Sequence, residues 1–403
     1  MRIVLFCHPE FMRSQSMPRF ATMLHAAYSA RGIEVTKWAP RAVFRKWFQD
    51  ERLGKWAGYL DQYVLFPMWV RRQLRRVPSD TLFVFCDQAL GPWVPLVADR
   101  PHVVHAHDLL ALRSALGDIP ENPTSLTGRI YQRYIRRGAR HGRHFIAISQ
   151  KTRDDLHHFV GVQPAISEVV YNGLNYPYSR LAPEMAREAL SAAGLPVDPR
   201  GMLLHIGGAQ WYKNLRGVIA LYARYAASHA QPLPLWCISP PPRGAILEAL
   251  REVPPAGRVE FFQNVTNQAL GAAYSQARAL LFPSLEEGFG WPLIEAAACG
   301  CPVLTTDRPP MNEVAGPRAA YVGRLRPDQD VQQWATEAAR SLECLLSRPE
   351  AERNADVVEA AQWAERFDAG RTIDRYLEIY QRVLALYAAP AAPEFRSPTG
   401  VAS

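Results

Sequence analysis

The residues most able to do chemistry lie in one run, Phe282-Pro-Ser-Leu-Glu-Glu-Gly-Phe-Gly-Trp-Pro-Leu-Ile-Glu-Ala-Ala-Ala-Cys-Gly-Cys-Pro302. An apolar strand ends at Pro283-Ser284. Gly288 and Gly290 follow, and without a Cβ each lets the backbone come close to a ligand. Pro292 suits the first turn of a helix and Gly300 its end. The free N–H groups at that helix N-terminus favour an anion. Two carboxylates, Glu287 in the loop and Glu295 expected in the first helical turn, stand eight positions apart. Glu295 has the alternative role of a helix-dipole partner. Glu286 reads as a solvated neighbour.

A second run, Ile206-Gly-Gly-Ala-Gln-Trp-Tyr-Lys-Asn-Leu215, also follows a strand and opens a helix. Gly207 and Gly208 permit close backbone approach to a phosphate, and Lys213 supplies a point charge. Residues 183–403 contain 20 Arg and one Lys, which is Lys213. A compact ammonium in a segment that otherwise uses guanidinium marks a chosen position, though a solvated helix-start lysine is the simpler alternative. A third run, Val103-Val-His-Ala-His-Asp108, places His107 and Asp108 at a strand end. His105 and His107 share a strand face, so a metal pair is conceivable; no metal is expected.

These runs need elements to hold them. Strands are expected at Arg2–Cys7, Ile33–Trp38, Leu82–Cys86, His102–Ala106, Phe145–Ile148 and Val169–Tyr171. A second series is expected at Met202–Ile206, Leu235–Ile238, Val259–Phe262, Leu280–Phe282 and Pro302–Thr305. Helical patterns lie between most of them, including Arg19–Ala30 and Lys213–Ala227. Alternating strands and helices imply parallel sheets covered on both faces, so the fold class is α/β with two doubly wound, Rossmann-like domains. The expected division is an N-terminal domain at 1–182, a C-terminal domain at 183–370 and a last helix at 371–387, with an Ala/Pro/Ser-rich tail at 388–403 expected to be disordered. Ligands of open α/β sheets sit outside the carboxyl ends of the strands, so the cleft between the domains is the expected site.

Composition narrows the class. The 403 residues are 48% hydrophobic and 21% charged, which excludes a disordered or collagen-like chain. Six cysteines without a CxxC pair argue against a zinc ribbon or disulfide framework and fit a reducing compartment. No signal peptide or membrane span is read, so the expected location is cytoplasmic, at most peripheral on the inner face of a membrane. Residues 1–182 hold 25 Lys+Arg against 14 Asp+Glu, whereas 183–403 hold 21 against 24. The basic half should meet something anionic. Residues 41–76 carry nine basic residues among eight Phe, Trp and Tyr, and 129–143 carry six Arg and no acid. That pattern reads as an element for an anionic membrane surface, as a groove for an anionic acceptor, or as a helix pair with core aromatics and solvated charges. No RNA-binding signature accompanies it, so no nucleic-acid partner is expected.

The first run resembles glycosyltransferase family 4, whose members are retaining transferases of the GT-B fold. The hallmark is Glu, seven residues, Glu, here Glu287-Gly-Phe-Gly-Trp-Pro-Leu-Ile-Glu295. The resemblance extends to Ala296-Ala-Ala-Cys-Gly300, Pro302-Val303 and Glu313-Val-Ala-Gly316, and more weakly to the Ser149-Gln-Lys-Thr152 helix start and Asn172-Gly173. The resemblance spans roughly residues 80–387 and implies helices near Trp363–Tyr387 crossing back to the first domain. It implies that Glu295 binds the donor ribose, that Glu287 faces the transferred sugar, and that the N–H groups of Phe289 and Gly290 approach its hydroxyls or the phosphates. Lys213, with Gly207 and Gly208, would bind the diphosphate, and His107 would face the sugar across the cleft.

Two departures stand out. The family usually has an Arg five residues before the Lys, where this chain has Gly208; Arg216 is a candidate to compensate. The first loop, His8 to Pro18, has no glycine, so Ser14 or Ser16 would have to supply donors. The resulting expectation is a retaining hexosyltransferase of bacterial surface polysaccharide assembly. It would use a nucleotide-sugar, GDP-mannose by analogy with polysaccharide relatives, a glycan or lipid-linked acceptor, and no cofactor. The alternatives are a GT-B nucleotide-sugar epimerase and a non-catalytic sugar-nucleotide-binding partner subunit.

Overall fold

The computed structural model describes residues 1–12, 16–48 and 50–388. The hydroxyls of Ser14 and Ser16 and the tail beyond Ala388 lie outside the described residues. The first sheet holds six parallel strands: β1 (Arg2–Phe6), β2 (Glu34–Trp38), β3 (Leu82–Phe85), β4 (His102–Ala106), β5 (His144–Ala147) and β6 (Ile166–Val169). Their order is β2-β1-β3-β4-β5-β6. The second sheet holds six more: β7 (Met202–Ile206), β8 (Leu235–Ile238), β9 (Val259–Phe262), β10 (Ala277–Phe282), β11 (Val303–Thr306) and β12 (Ala320–Val322). Its order is β12-β11-β10-β7-β8-β9, again all parallel. This is the GT-B architecture of two facing Rossmann-like domains.

The topology places the chemistry. In each sheet the strand order reverses beside the first strand, and the loops after the two strands flanking that point open a crevice. In the second domain these are the loops after β7 and β10, which carry Gly207–Lys213 and Pro283–Gly290. In the first domain they follow β1 and β3 and carry His8 and Asp87, with the β4 loop and His107 alongside. Strand β3, Leu-Phe-Val-Phe, is apolar along its whole length and buried on both faces, as a helix-covered parallel strand must be; β4 is equally buried but carries His102 and His105.

Several boundaries differ from the sequence reading. The last strand of the first sheet is Ile166–Val169, not Val169–Tyr171. The backbone of Tyr171 and Leu174 instead bonds to Thr372 and Phe367, so the chain has already turned toward the crossing segment. Strand β12 was not expected; it is three residues long and closes one edge of the second sheet. Lys213 does not begin a helix. It ends a short 3₁₀ turn, Asn214 follows at φ 55°, and the helix runs from Leu215 to Ala227 with the Asn214 side chain accepting from Gly217 N–H. Glu295 is one turn deeper than expected, because its helix runs Trp291–Ala298 and has no acid in its first turn.

The final helix, Ala369–Ala388, buries Thr372, Ile373, Tyr376, Ile379, Tyr380 and Val383, a three-and-four spacing that makes one apolar stripe. That stripe packs in the core of the first domain with Leu24, Tyr28 and Val103. The Tyr380 hydroxyl receives a hydrogen bond from Tyr28 at 3.0 Å and lies 2.7 Å from Nε2 of the fully buried His105. Replacing Tyr380 by Ala should therefore cost about 3–5 kcal/mol, as for other large core side chains, measured by urea unfolding of the first domain. A loss below ~1 kcal/mol would mean that the helix is not integral to that core.

Candidate active site

The two loops of the second domain bring a cation and two carboxylates together. Lys213 Nζ lies 2.7 Å from Glu287 Oε1, and both side chains are largely buried. Ser284 Oγ donates to the same carboxylate oxygen at 2.9 Å. The ammonium also sits 4.9 Å from the centre of the Phe282 ring. The Lys213 stem packs beneath Gly207, where a Cβ would stand 3.1 Å from its Cβ and Cγ, so a glycine lets the loop close over the lysine. His205 is buried below that loop. Its Nδ1 donates to the Leu281 carbonyl at 2.8 Å, its Nε2 has no partner among the described residues, and burial lowers its pKa to about 4.

Glu295 lies behind this pair. Burial raises its pKa to about 7, against the pull of a hydrogen bond from Tyr274 and the charge of Lys213. The Tyr274 hydroxyl donates to Glu295 Oε2 at 2.8 Å. A carboxylate one turn inside a helix and 6% exposed is not a solvated dipole partner. Gly290 caps the helix at φ 98°, a conformation glycine adopts without strain. Gly208 leaves no cation five residues before Lys213, and Arg216 stands exposed on the next helix, outside the Lys213–Glu287 pair.

The first domain supplies the opposite wall. His107 is 8% exposed, its Nε2 donates to the Cys86 carbonyl at 2.9 Å, and Phe20 meets the ring edge-on at 4.5 Å. Burial lowers its pKa, so the imidazole is neutral with Nδ1 as the remaining acceptor. His105 points into the core and to Tyr380, not toward a shared metal site. Among the described residues no group of three or more His, Cys, Asp or Glu converges. Asp108 is raised to about 6 by burial and then by the charge of Asp87. His8 lies 2.7 Å from Asp87. Burial pushes Asp87 up, but the hydrogen bond and charge of His8 outweigh it and hold the carboxyl below its usual range.

The walls meet at Gly288. A Cβ there would overlap the His107 carbonyl oxygen and crowd Asp108 Cβ. Ser149 Oγ donates to the Gly288 carbonyl at 2.9 Å, and Glu313 accepts from the N–H groups of Gln150 and Lys151 at 2.9 and 3.0 Å. The Ser149 helix start thus docks on the second domain.

Comparison with known proteins agrees with this fold. A model of "Glycosyltransferase Family 4" matches residues 17–176, and one of "Glycosyl transferases group 1" matches 200–344. The protein is a glycosyltransferase of the GT-B type, similar to family 4. The transferase is 29% identical over 319 residues to a D-inositol 3-phosphate glycosyltransferase of Rhodococcus opacus, covering 75% of this chain and 67% of that one. It is 26% identical over 224 residues to an O-antigen chain mannosyltransferase of Salmonella typhimurium, covering 55% and 58%. A sucrose-phosphate synthase of Thermosynechococcus elongatus shares the fold at TM-score 0.69, with 18% identity over 96% of the transferase and 100% of the synthase.

The structure corrects one residue and adds others. Glu286 is not solvated. It is 3% exposed and pairs at 2.7 Å with Arg113, itself 4% exposed, from the other domain. Tyr274, Ser284 and the His8–Asp87 pair were not singled out as functional in sequence; each acts through a partner that only folding supplies.

Two cavities of the transferase open beside β1 and β2. One of about 560 Å³ is lined by His8, Lys37, Arg41 and Thr22; the other, about 310 Å³, shares Lys37 and Arg41 but has Trp38, Phe66 and Trp69 walls. The basic segment above them divides its aromatics. Tyr63 and Phe66 pack on the core, whereas Trp47 and Trp56 are 74% and 68% exposed.

The Tyr274 bond carries a prediction. Tyr274→Phe should raise the Glu295 pKa above its value of about 7, because the bond favours the ionised form. Carboxyl-carbon NMR of Glu295 reads this directly, and an unchanged or lowered pKa would refute the assignment.

Proposed function

We propose that this transferase moves a hexose from a nucleotide-sugar to a glycan or lipid-linked acceptor, with retention of configuration, in the assembly of bacterial surface polysaccharide. The observation that carries the reading is the Lys213–Glu287 pair at the switch point of the second sheet, with Glu295 behind it. A nucleoside diphosphate needs a cation and N–H groups at its phosphates and a carboxylate at its ribose. Lys213, the loop at Gly207–Gly208 and the N–H groups of Phe289 and Gly290 suit the first, and Glu295 suits the second. The mannosyltransferase named above favours mannose as the sugar, and GDP is our proposal for its carrier.

In the proposed step the bond between the sugar C1 and the phosphate oxygen breaks, and its electron pair leaves on that oxygen. The acceptor oxygen bonds to C1 from the same face, and its proton passes to the departing phosphate. Lys213 and the loop N–H groups stabilise the charge that develops there, so this role is assigned to them rather than to a metal ion. Glu287, balanced by Lys213 and Ser284, orients the sugar and favours its positive charge. Neutral His107 offers Nδ1 as a hydrogen-bond acceptor to a sugar hydroxyl from the opposite wall. The larger cavity, with Lys37 and Arg41, suits an anionic part of the acceptor, and the aromatic one an apolar part.

The same reading places the first domain on an anionic membrane surface. No described helix is long and apolar enough to cross a bilayer. Leu53, Trp56, Leu60, Val64 and Met68 instead form an exposed stripe along the helical run 51–74, and Leu126, Ile130 and Tyr134 form another on Leu126–Ala139. Arg and Lys side chains flank both, the arrangement that seats a helix in a headgroup layer.

The donor site is tested by thermal unfolding with GDP, UDP, dTDP, ADP and their sugar conjugates. One base should stabilise the protein, by about 2.7 kcal/mol at 100 times its dissociation constant, and Lys213→Ala should abolish the shift. No shift with any of them would refute the reading. Glu287→Gln should keep the nucleoside diphosphate shift, since it releases Lys213 from its partner, while transfer falls at least tenfold. Near-normal transfer in that variant would remove Glu287 from the mechanism.

A further inference from the structure

We propose that Arg113 and Glu286 are positioning residues: an ion pair across the domain interface through which the first domain sets the conformation of the loop carrying Glu287. This rests on the reading of Glu287 as the group that faces the transferred sugar. Arg113 lies on the short helix Leu110–Leu116, just after His107 and Asp108. Its Nη1 donates to Glu286 Oε2 at 2.7 Å, and its Nε donates to Asp118 at 2.8 Å. The planar guanidinium thus has two of its directions fixed, which makes it a rigid pointer and not a mobile charge.

A second pair runs the opposite way. Arg324, from the segment after β12, donates to Glu121 of the first domain at 2.7 Å. It also donates to the Leu285 carbonyl at 3.1 Å and lies 3.7 Å from the other carboxylate oxygen of Glu286. The loop is held residue by residue. Leu285 N–H donates to the Tyr212 carbonyl at 2.7 Å, Glu286 is held by Arg113, and the Gly288 carbonyl is held by Ser149 and Thr152. Only Glu287 turns away from this clamp, toward Lys213. Glu286 and Glu287 are adjacent on one backbone and bond to partners on different domains, so holding Glu286 on Arg113 restricts the directions open to Glu287.

Stability alone is a poor reason for this pair. Two charges taken this far out of water carry a heavy desolvation penalty, and apolar side chains of equal volume would hold the domains without it. What the pair supplies is direction. When the domains dock, Glu287 is aimed at the cleft; when they part, the loop loses three of its anchors.

The test compares wild type with Glu286→Gln, Arg113→Lys and the double variant Arg113→Met/Glu286→Met, in which no charge of the pair is stranded. Two quantities are read: the dissociation constant of the nucleoside diphosphate selected by the thermal screen, by calorimetry, and the kcat for its release from the matching nucleotide-sugar. The expected result is at least a tenfold loss of kcat in Glu286→Gln and in the double variant, with nucleoside diphosphate affinity within threefold of wild type. Arg113→Lys should fall between, because a lysine keeps the charge but not the fork. The double variant should lose no more than the worse single change, as residues acting as one unit do. A kcat within twofold of wild type in the double variant would overturn the clamp alone. Affinity falling in step with kcat would overturn it too, by showing general damage to the donor site. Absence of nucleotide binding in the wild type would instead overturn the donor-site reading, and the clamp with it.

Discussion

The site depends on a close approach of backbone to backbone between the two domains. Gly288 lies so near the His107 carbonyl that any Cβ would overlap it, and this contact joins the loop after β10 to the loop after β4. Several of the groups at the cleft lie on the two loops joined there. Glu287 precedes Gly288, Phe289 and the helix Trp291–Ala298 follow it, and His107 and Asp108 form the other half of the junction. The Ser149 and Thr152 hydroxyls complete the junction by donating to the Gly288 carbonyl. The two domains therefore share one wall instead of merely facing each other.

Burial then decides the charge state of each group along that wall. Low-dielectric surroundings penalise lone charges, so His107 and His205 are held neutral and Asp108 and Glu295 are raised toward neutrality. Asp87, with His8 as its partner, is held below its usual range, and Lys213 and Glu287 face each other as a salt bridge. The site thus carries its charge as matched pairs. A diphosphate entering it would meet an ammonium already stripped of much of its water, which makes the attraction stronger than at a solvated lysine.

The same matching of partners appears outside the site. The last helix crosses to the first domain because its stripe of Ile and Tyr has a complementary apolar surface there, and its Tyr380 hydroxyl meets both His105 Nε2 and the Tyr28 hydroxyl. The exposed stripes on 51–74 and 126–139 have no such surface within the described residues, which separates them from the core aromatics beside them.

Much of this is legible in the chain itself. Strand-length apolar runs alternating with helical spacing set two parallel sheets, and the glycines and prolines around Glu287, with the glycine pair ahead of Lys213, mark both loops by residue type alone. These signals are local: a turn, a cap or a strand needs only its neighbours. What the sequence does not reveal depends on partners distant along the chain. Glu286 looks like any charged loop residue until Arg113, 173 positions away, is folded against it. Tyr274 reads as a core aromatic until its hydroxyl meets Glu295, and His8 as a loop residue until Asp87 stands beside it. The depth of Glu295, the start of the helix after Lys213 and the turn at Tyr171 are likewise settled by packing, since a cap or strand end follows whichever backbone partner tertiary contact supplies. Residue type and spacing determined where the chemistry sits; burial and long-range pairing decided which of those side chains are charged and in which direction they point.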